Sequence, residues 1–345
     1  MISKGLFMKI FSVALIVCSL GVASAMCQTD SPLVLERRIV LAGVKGKFDH
    51  FALDERGGRL FAAATGNKSV EVVDLASGKI VESLTGLGKP HGLAWVEKTG
   101  QKGRLFVADG EKASLEVFEG VPLKLVKSVP LSEDADDMVY DSGSGLLYVG
   151  HGGSNATNPA SVAIVDATRL TVAKQLRMAT HPEALELDAT TRRIFVNISD
   201  TGEVVVIDGA AQGKMKTWKL TNTKGNTPLA YDAQDGLLLV GCRAPAKLLA
   251  LSGANGMEMG SSVADSGADD LFFEPKTHRA YLIAGSGAID TYTVSPDGKL
   301  QAMAVIHTVA GAKTGLLAPS QGLLYIGIPG VNAASEIDVY RTGAK

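Results

Sequence analysis

The chain has 345 residues, of which 39 are glycine; 46% of it is apolar, only 6% is aromatic, and its formal net charge is −2 at neutral pH. A length of this order ordinarily suggests two domains. A weakly acidic chain without a basic run lacks the electrostatic footprint of a nucleic-acid binder, which argues against nucleic acid as a partner.

The chain opens with a processing signal. Lys4 and Lys9 precede an apolar run from Ile10 to Val22, followed by Ala23-Ser24-Ala25, a small-x-small cleavage site. Residues 1–25 therefore read as a signal peptide, with 26–32 as a short tail and export to the periplasm or beyond as the expectation. The apolar run is short for a bilayer span, so no membrane span is expected after cleavage. Only Cys27 and Cys242 would then remain. One lies in the tail and the other at the end of a strand, and neither reads as a metal or redox pair.

From residue 33 onward one pattern fills the chain. RLFAAA (Arg59–Ala64), RLFVAD (Arg104–Asp109), LLYVGH (Leu146–His151), RIFVNI (Arg193–Ile198), LLLVGC (Leu237–Cys242), RAYLIA (Arg279–Ala284) and LLYIGI (Leu323–Ile328) are variants of one strand. Their third residues, Phe61, Phe106, Tyr148, Phe195, Leu239, Tyr281 and Tyr325, recur every forty-odd positions. A β-type repeat of that period marks propeller blades, and it overrides the two-domain prior. Within residues 46–87, His50–Asp54, Arg59–Ala64, Ser69–Asp74 and Lys79–Leu87 alternate apolar and polar residues between Gly, Asp and Ser clusters, giving four strands. The expected fold is an all-β, seven-bladed β-propeller over 33–345, a single domain and a monomer. Leu33–Gly43 reads as a fourth strand lacking its first three, and Glu336–Arg341 as a third strand lacking its fourth. Together they would complete the last blade and close the ring. The turn aspartates Asp54, Asp141, Asp188 and Asp232 read as backbone caps without a catalytic role.

RIFVNI followed by VVVIDGAAQGK (Val204–Lys214), and RLFAAATGNKSVEVVDLASGK (Arg59–Lys79), resemble the YVTN repeat. The chain is similar on these motifs to the YncE-like bacterial propellers, which are also similar to the propeller of cytochrome cd1 nitrite reductase. The resemblance implies the fold and export; it implies no particular reaction.

Strand geometry sorts chemistry-bearing residues by face. The segments leading into the innermost strands carry Asp49 and His50; His91; Asp136 and Asp137; His181 and Glu183; Thr227; Asp269 and Asp270; and Lys313. The exits of the second strands, which lie on the same face, add Asn67, Asp109, His151, Asn155, Asn197, Asp200 and Arg243. A ring of His, Asp and Glu at a channel mouth suits a divalent metal ion, with His50, His91 and His181 as candidate ligands. Asp49, Asp137, Glu183 and Asp270 would support them or act as a base, and Arg243 would anchor a carboxylate or phosphate. Two readings of the ring stand side by side: a ligand or metal site, or a belt of hydrogen bonds satisfying loop backbone. The corresponding functions are a binding protein for a small ligand, metal or protein partner on this face, or a metal-dependent hydrolase or lyase of lactonase type.

Overall fold

The computed structural model describes residues 1–2, 31–97, 103–210 and 213–343. The expected signal peptide and the Cys27 tail lie outside the described residues, apart from residues 1–2. Ser31–Lys345 forms one compact unit. None of the described helices is long and apolar enough to cross a membrane.

Seven antiparallel four-stranded sheets follow one another along this unit. The first blade comprises Phe51–Asp54, Arg59–Ala64, Ser69–Asp74 and Lys79–Leu84, innermost to outermost. All seven repeated hexapeptides form second strands, as their apolar composition requires. Arg59–Ala64 is buried from its second residue on, whereas the outermost Lys79–Leu84 alternates between exposed and partly buried positions. A central strand is covered on both faces by neighbouring blades, while an outer strand meets solvent.

Apolar packing holds the blades side by side. Phe61 stacks on Trp95 of the next blade, with ring centroids 5.2 Å apart. Phe195 packs in a tilted arrangement against Tyr231 of its next blade, at 5.3 Å. The described core divides into clusters that each bridge two adjacent blades; Tyr148, Val162, Leu185 and Ile194 join blades three and four. A fully buried side chain of this size contributes about 1.5–3 kcal/mol by its removal from water.

The ring closes as expected. Leu33–Leu41 pairs antiparallel with Ser335–Thr342, from Leu33 opposite Thr342 to Leu41 opposite Ser335. The last blade is thus built from both ends of the domain, with Leu33–Leu41 as its fourth, outer strand like that of every other blade.

The turn aspartates cap as expected. Asp54 Oδ1 accepts the Gly57 N–H at 2.8 Å, Asp141 Oδ1 that of Gly143 at 2.9 Å, and Asp188 Oδ1 that of Thr190 at 3.1 Å. These turns lie at the far ends of the innermost strands, leaving the leading segments to form the channel mouth.

Candidate functional site at the channel mouth

The segments leading into the innermost strands are fixed by backbone before their side chains do any chemistry. Asp49 N–H donates to Ala63 O at 2.9 Å, and Ala63 N–H donates to His50 O at 3.1 Å, which extends the first hairpin up to the mouth. Asp136 and Asp137 are held in the same way by Gly150, at 2.9 Å in each direction. Gly92 lets blades two and three approach: a Cβ there would stand 2.3 Å from Asp136 O. That contact is what brings His91 beside Asp136.

All seven blades contribute to a cavity of about 240 Å³ at this mouth. Nine of the eleven predicted positions line it: Asp49, His50, His91, Asp136, Asp137, Glu183, Arg243, Asp269 and Lys313. His181 and Asp270 stand behind the lining. Lys47, Ala184, Thr227 and Thr314 complete it. Ala184 and Thr314 adjoin predicted positions in sequence, whereas Lys47 sits outside any strand and carried no periodic signal.

The three histidines do not form one ligand set. One ligand atom from each of Asp49, His91 and Asp136 falls within 4.8 Å of the others; His50 and His181 flank this group. His91 is buried, its Nδ1 donates to Asp136 Oδ1 at 2.9 Å, and Asp49 Oδ2 lies 3.9 Å from the same nitrogen. His91 Nε2 is buried without a hydrogen-bond partner. His50 Nε2 lies 3.6 Å from Asp49 and 4.0 Å from Asp137. His181 donates from Nδ1 to Gly152 O at 2.7 Å and from Nε2 to Asp136 Oδ2 at 3.3 Å, so both nitrogens carry protons. The group that converges at the mouth is therefore one imidazole and two carboxylates rather than the three imidazoles expected from their common face. The other two imidazoles act as neighbouring cations.

The electrostatics follow from this packing. Burial opposes a charge on His50, but Asp137, Asp49, Asp270 and Asp136 outweigh it and push its pKa up to about 10. His181 is likewise penalised by burial yet raised to about 9, chiefly by its hydrogen bond to Asp136. Asp136 pays for burial but is held well below the usual carboxylate range by His181 and His91. Burial raises Asp49, Asp137 and Glu183. It also raises Glu186, a residue sequence reading passed over, to about 8 with help from Asp137.

Other residues on this face serve the backbone. Asp137 Oδ2 accepts Leu185 N–H at 2.7 Å, and Asp270 Oδ2 accepts Gly315 N–H at 2.9 Å, each reaching a neighbouring blade. His151 is buried, accepts Ser132 N–H at Nδ1 and donates to Gln175. Burial lowers its pKa, as suits a neutral ring. Asn226 donates to Asn197 at 2.8 Å, and Asn197 to Thr227 O at 3.0 Å. Arg243 and Lys313 both pair with Asp269, and Arg243 Nε also donates to Ala268 O at 2.8 Å. The face thus contains both a hydrogen-bond belt and a convergent cluster.

The fold defines a class, the seven-bladed β-propellers. No protein-family model matches the chain, and no curated protein matches its sequence. Among solved structures, a chain of the "Crystal Structure of Mitotic Checkpoint Complex" is similar, at 12% identity and a TM-score of 0.71. The match covers 97% of this chain and 100% of that one. At such identity the likeness concerns the fold alone.

Proposed function

We propose that this protein is a binding protein whose channel mouth takes a divalent metal ion, alone or carried by a small polar ligand. The observation that supports it is the convergence of Asp49, His91 and Asp136 at the wall of the cavity. One imidazole and two carboxylates suit manganese or zinc. The cavity is lined by the carboxyls of Asp49, Asp136, Asp137, Glu183 and Asp269, interleaved with the cations Lys47, Arg243, Lys313 and protonated His50. The carboxyls offer ligands to a metal cation, while Arg243 and Lys313 offer donors to an anionic group beside it. An ion between His91 and the carboxylates would take the place of the shared proton, so binding should weaken in acid. The signal-like residues 1–25 and the YVTN-like repeats support an exported, periplasmic or secreted setting and a YncE-like affiliation.

A second reading rests on Glu183, which lines the cavity and whose carboxyl is raised by burial, as suits a general base. Beside a bound metal this would suit a hydrolase or lyase.

Calorimetric titration of chelator-treated protein with Mn2+ tests the binding role. Wild type is expected to bind, and His91→Ala and Asp136→Asn to bind more than about tenfold more weakly, equivalent to 1.4 kcal/mol. Equal affinity in all three proteins would remove the cluster from the account.

A further inference from the structure

The opposite face carries a second convergent group, formed by turns that read in the sequence as simple caps. In blade five, the turn between Lys224–Asp232 and Leu237–Ala244 contains Asp232 and Asp235. In blade six, the turn between Ala268–Glu274 and Arg279–Ala284 contains His278, held at a φ of 49°. One ligand atom from each of Asp232, Asp235 and His278 lies within 4.8 Å of the others.

The sister blades serve as internal controls. Asp54 Oδ2 accepts from Arg59 at 2.8 Å. Asp141 Oδ2 accepts from the Ser144 hydroxyl and from Arg192 of the next blade, the latter at 3.0 Å. Asp188 Oδ2 accepts from Thr191 and from Arg193 at 2.9 Å. Asp232 occupies the equivalent position, but Asp235 replaces Ser144, Leu237 replaces Arg193, and His278 replaces Arg192. Arg192 and His278 share the left-handed backbone, at φ 58° and 49°. Asp141 and Asp188 thus each receive at least two side-chain donors at this oxygen, where the blade-five turn meets a second carboxylate and an imidazole.

The consequence is visible in the hydrogen bonds. Asp232 is 1% exposed, and its Oδ1 accepts Gln234 N–H at 3.0 Å. Its Oδ2 is buried with no hydrogen-bond partner, and so are Asp235 Oδ2 and His278 Nδ1, which face each other at an ion-pair distance of 3.7 Å. A buried unpaired carboxylate oxygen is costly, and three unsatisfied ligand atoms in one place make it costlier. A cation bound between the three side chains would offer them that partner.

We propose that Asp232, Asp235 and His278 form a divalent transition-metal site, best suited to Zn2+, that staples blade five to blade six. Two carboxylates and one imidazole are ligand types that zinc takes, with water filling the fourth position. The site is separate from the channel mouth, being on the other face and sharing none of its residues.

Zn2+ titration of the chelator-treated full chain, in a His91→Ala background that disables the mouth cluster, tests this directly. The variants are Asp232→Asn, which keeps the turn acceptor, and His278→Asn, which tolerates positive φ. The His91→Ala chain is expected to bind one Zn2+ and to melt at a higher temperature with it. Adding either variant is expected to weaken binding by more than about tenfold and abolish the thermal shift. In the unmutated protein, the His278 ring resonances are expected to shift with Zn2+, a readout independent of any variant's folding. Unchanged His278 resonances, or undiminished Zn2+ affinity in both variants, would overturn the proposal.

Discussion

At the scale of single residues, the same side chain does different work according to what surrounds it. Asp54 and Asp232 occupy equivalent turns, yet one carboxylate meets an arginine and the other keeps a buried oxygen unpaired. Asp270 shows the cost of burial most directly. Its folded pKa of about 7 lies above the ordinary 3.8, so the folded state holds a proton that the unfolded state has released. Between those pH values the unfolded state binds fewer protons, and stability falls as pH rises. Asp270→Asn keeps an acceptor for Gly315 and removes this penalty. Its stability relative to wild type should therefore increase from pH 4 to pH 8, by an amount on the order of a few kcal/mol in urea unfolding. A pH-independent difference would mean that Asp270 titrates normally. Which residues belong to the mouth was legible in the sequence, because strand direction assigns each leading segment to a face. Which of them converge was not. His50, His91 and His181 lie far apart in the chain, each in a different blade, and only the close approach of blades two and three at Gly92 selects Asp136 as the partner of His91.

At the scale of strands, almost everything was legible. The repeated hexapeptides are second strands because both their faces are covered, and continuous apolar runs mark that environment. The closing strand is subtler, since Leu33–Leu41 is mostly exposed and buries only Leu33, Ile39 and Leu41. Its assignment rests on counting strands at the two ends of the domain rather than on its own pattern. Leu41 is fully buried against the seam, whereas its neighbour Val40 is 56% exposed. Leu41→Ala should destabilise the domain by about 2–5 kcal/mol through loss of buried surface and the cavity left behind. Val40→Ala should change stability by less than about 0.5 kcal/mol. Equal effects of the two substitutions on urea unfolding would contradict the closure register. The blade-five turn caps as its sequence suggests, Asp232 Oδ1 accepting Gln234 N–H. Its Asp-x-x-Asp-Gly pattern is a good cap, and nothing local reveals that the neighbouring blade supplies histidine in place of arginine.

At the scale of the whole molecule, the ring fixes two faces with different chemistry. One gathers carboxyls and imidazoles from five blades, with Arg243 and Lys313 from the other two, around a cavity, and the other is a rim of turns, one of which carries His278. A rigid scaffold of this kind positions donors without a conformational change, so binding costs little ordering. The histidines report on both faces at once: His50, His91 and His181 belong to the mouth, and His278 to the rim. The most direct measurement is therefore histidine-selective NMR of the chelator-treated protein during a Mn2+ titration, since this paramagnetic ion broadens the resonances nearest to where it binds. The account predicts that the His50, His91 and His181 ring signals broaden at the lowest additions and recover with chelator. Sharp signals from all three throughout the titration, with or without broadening at His278, would contradict the assignment of the channel mouth as a metal-binding site.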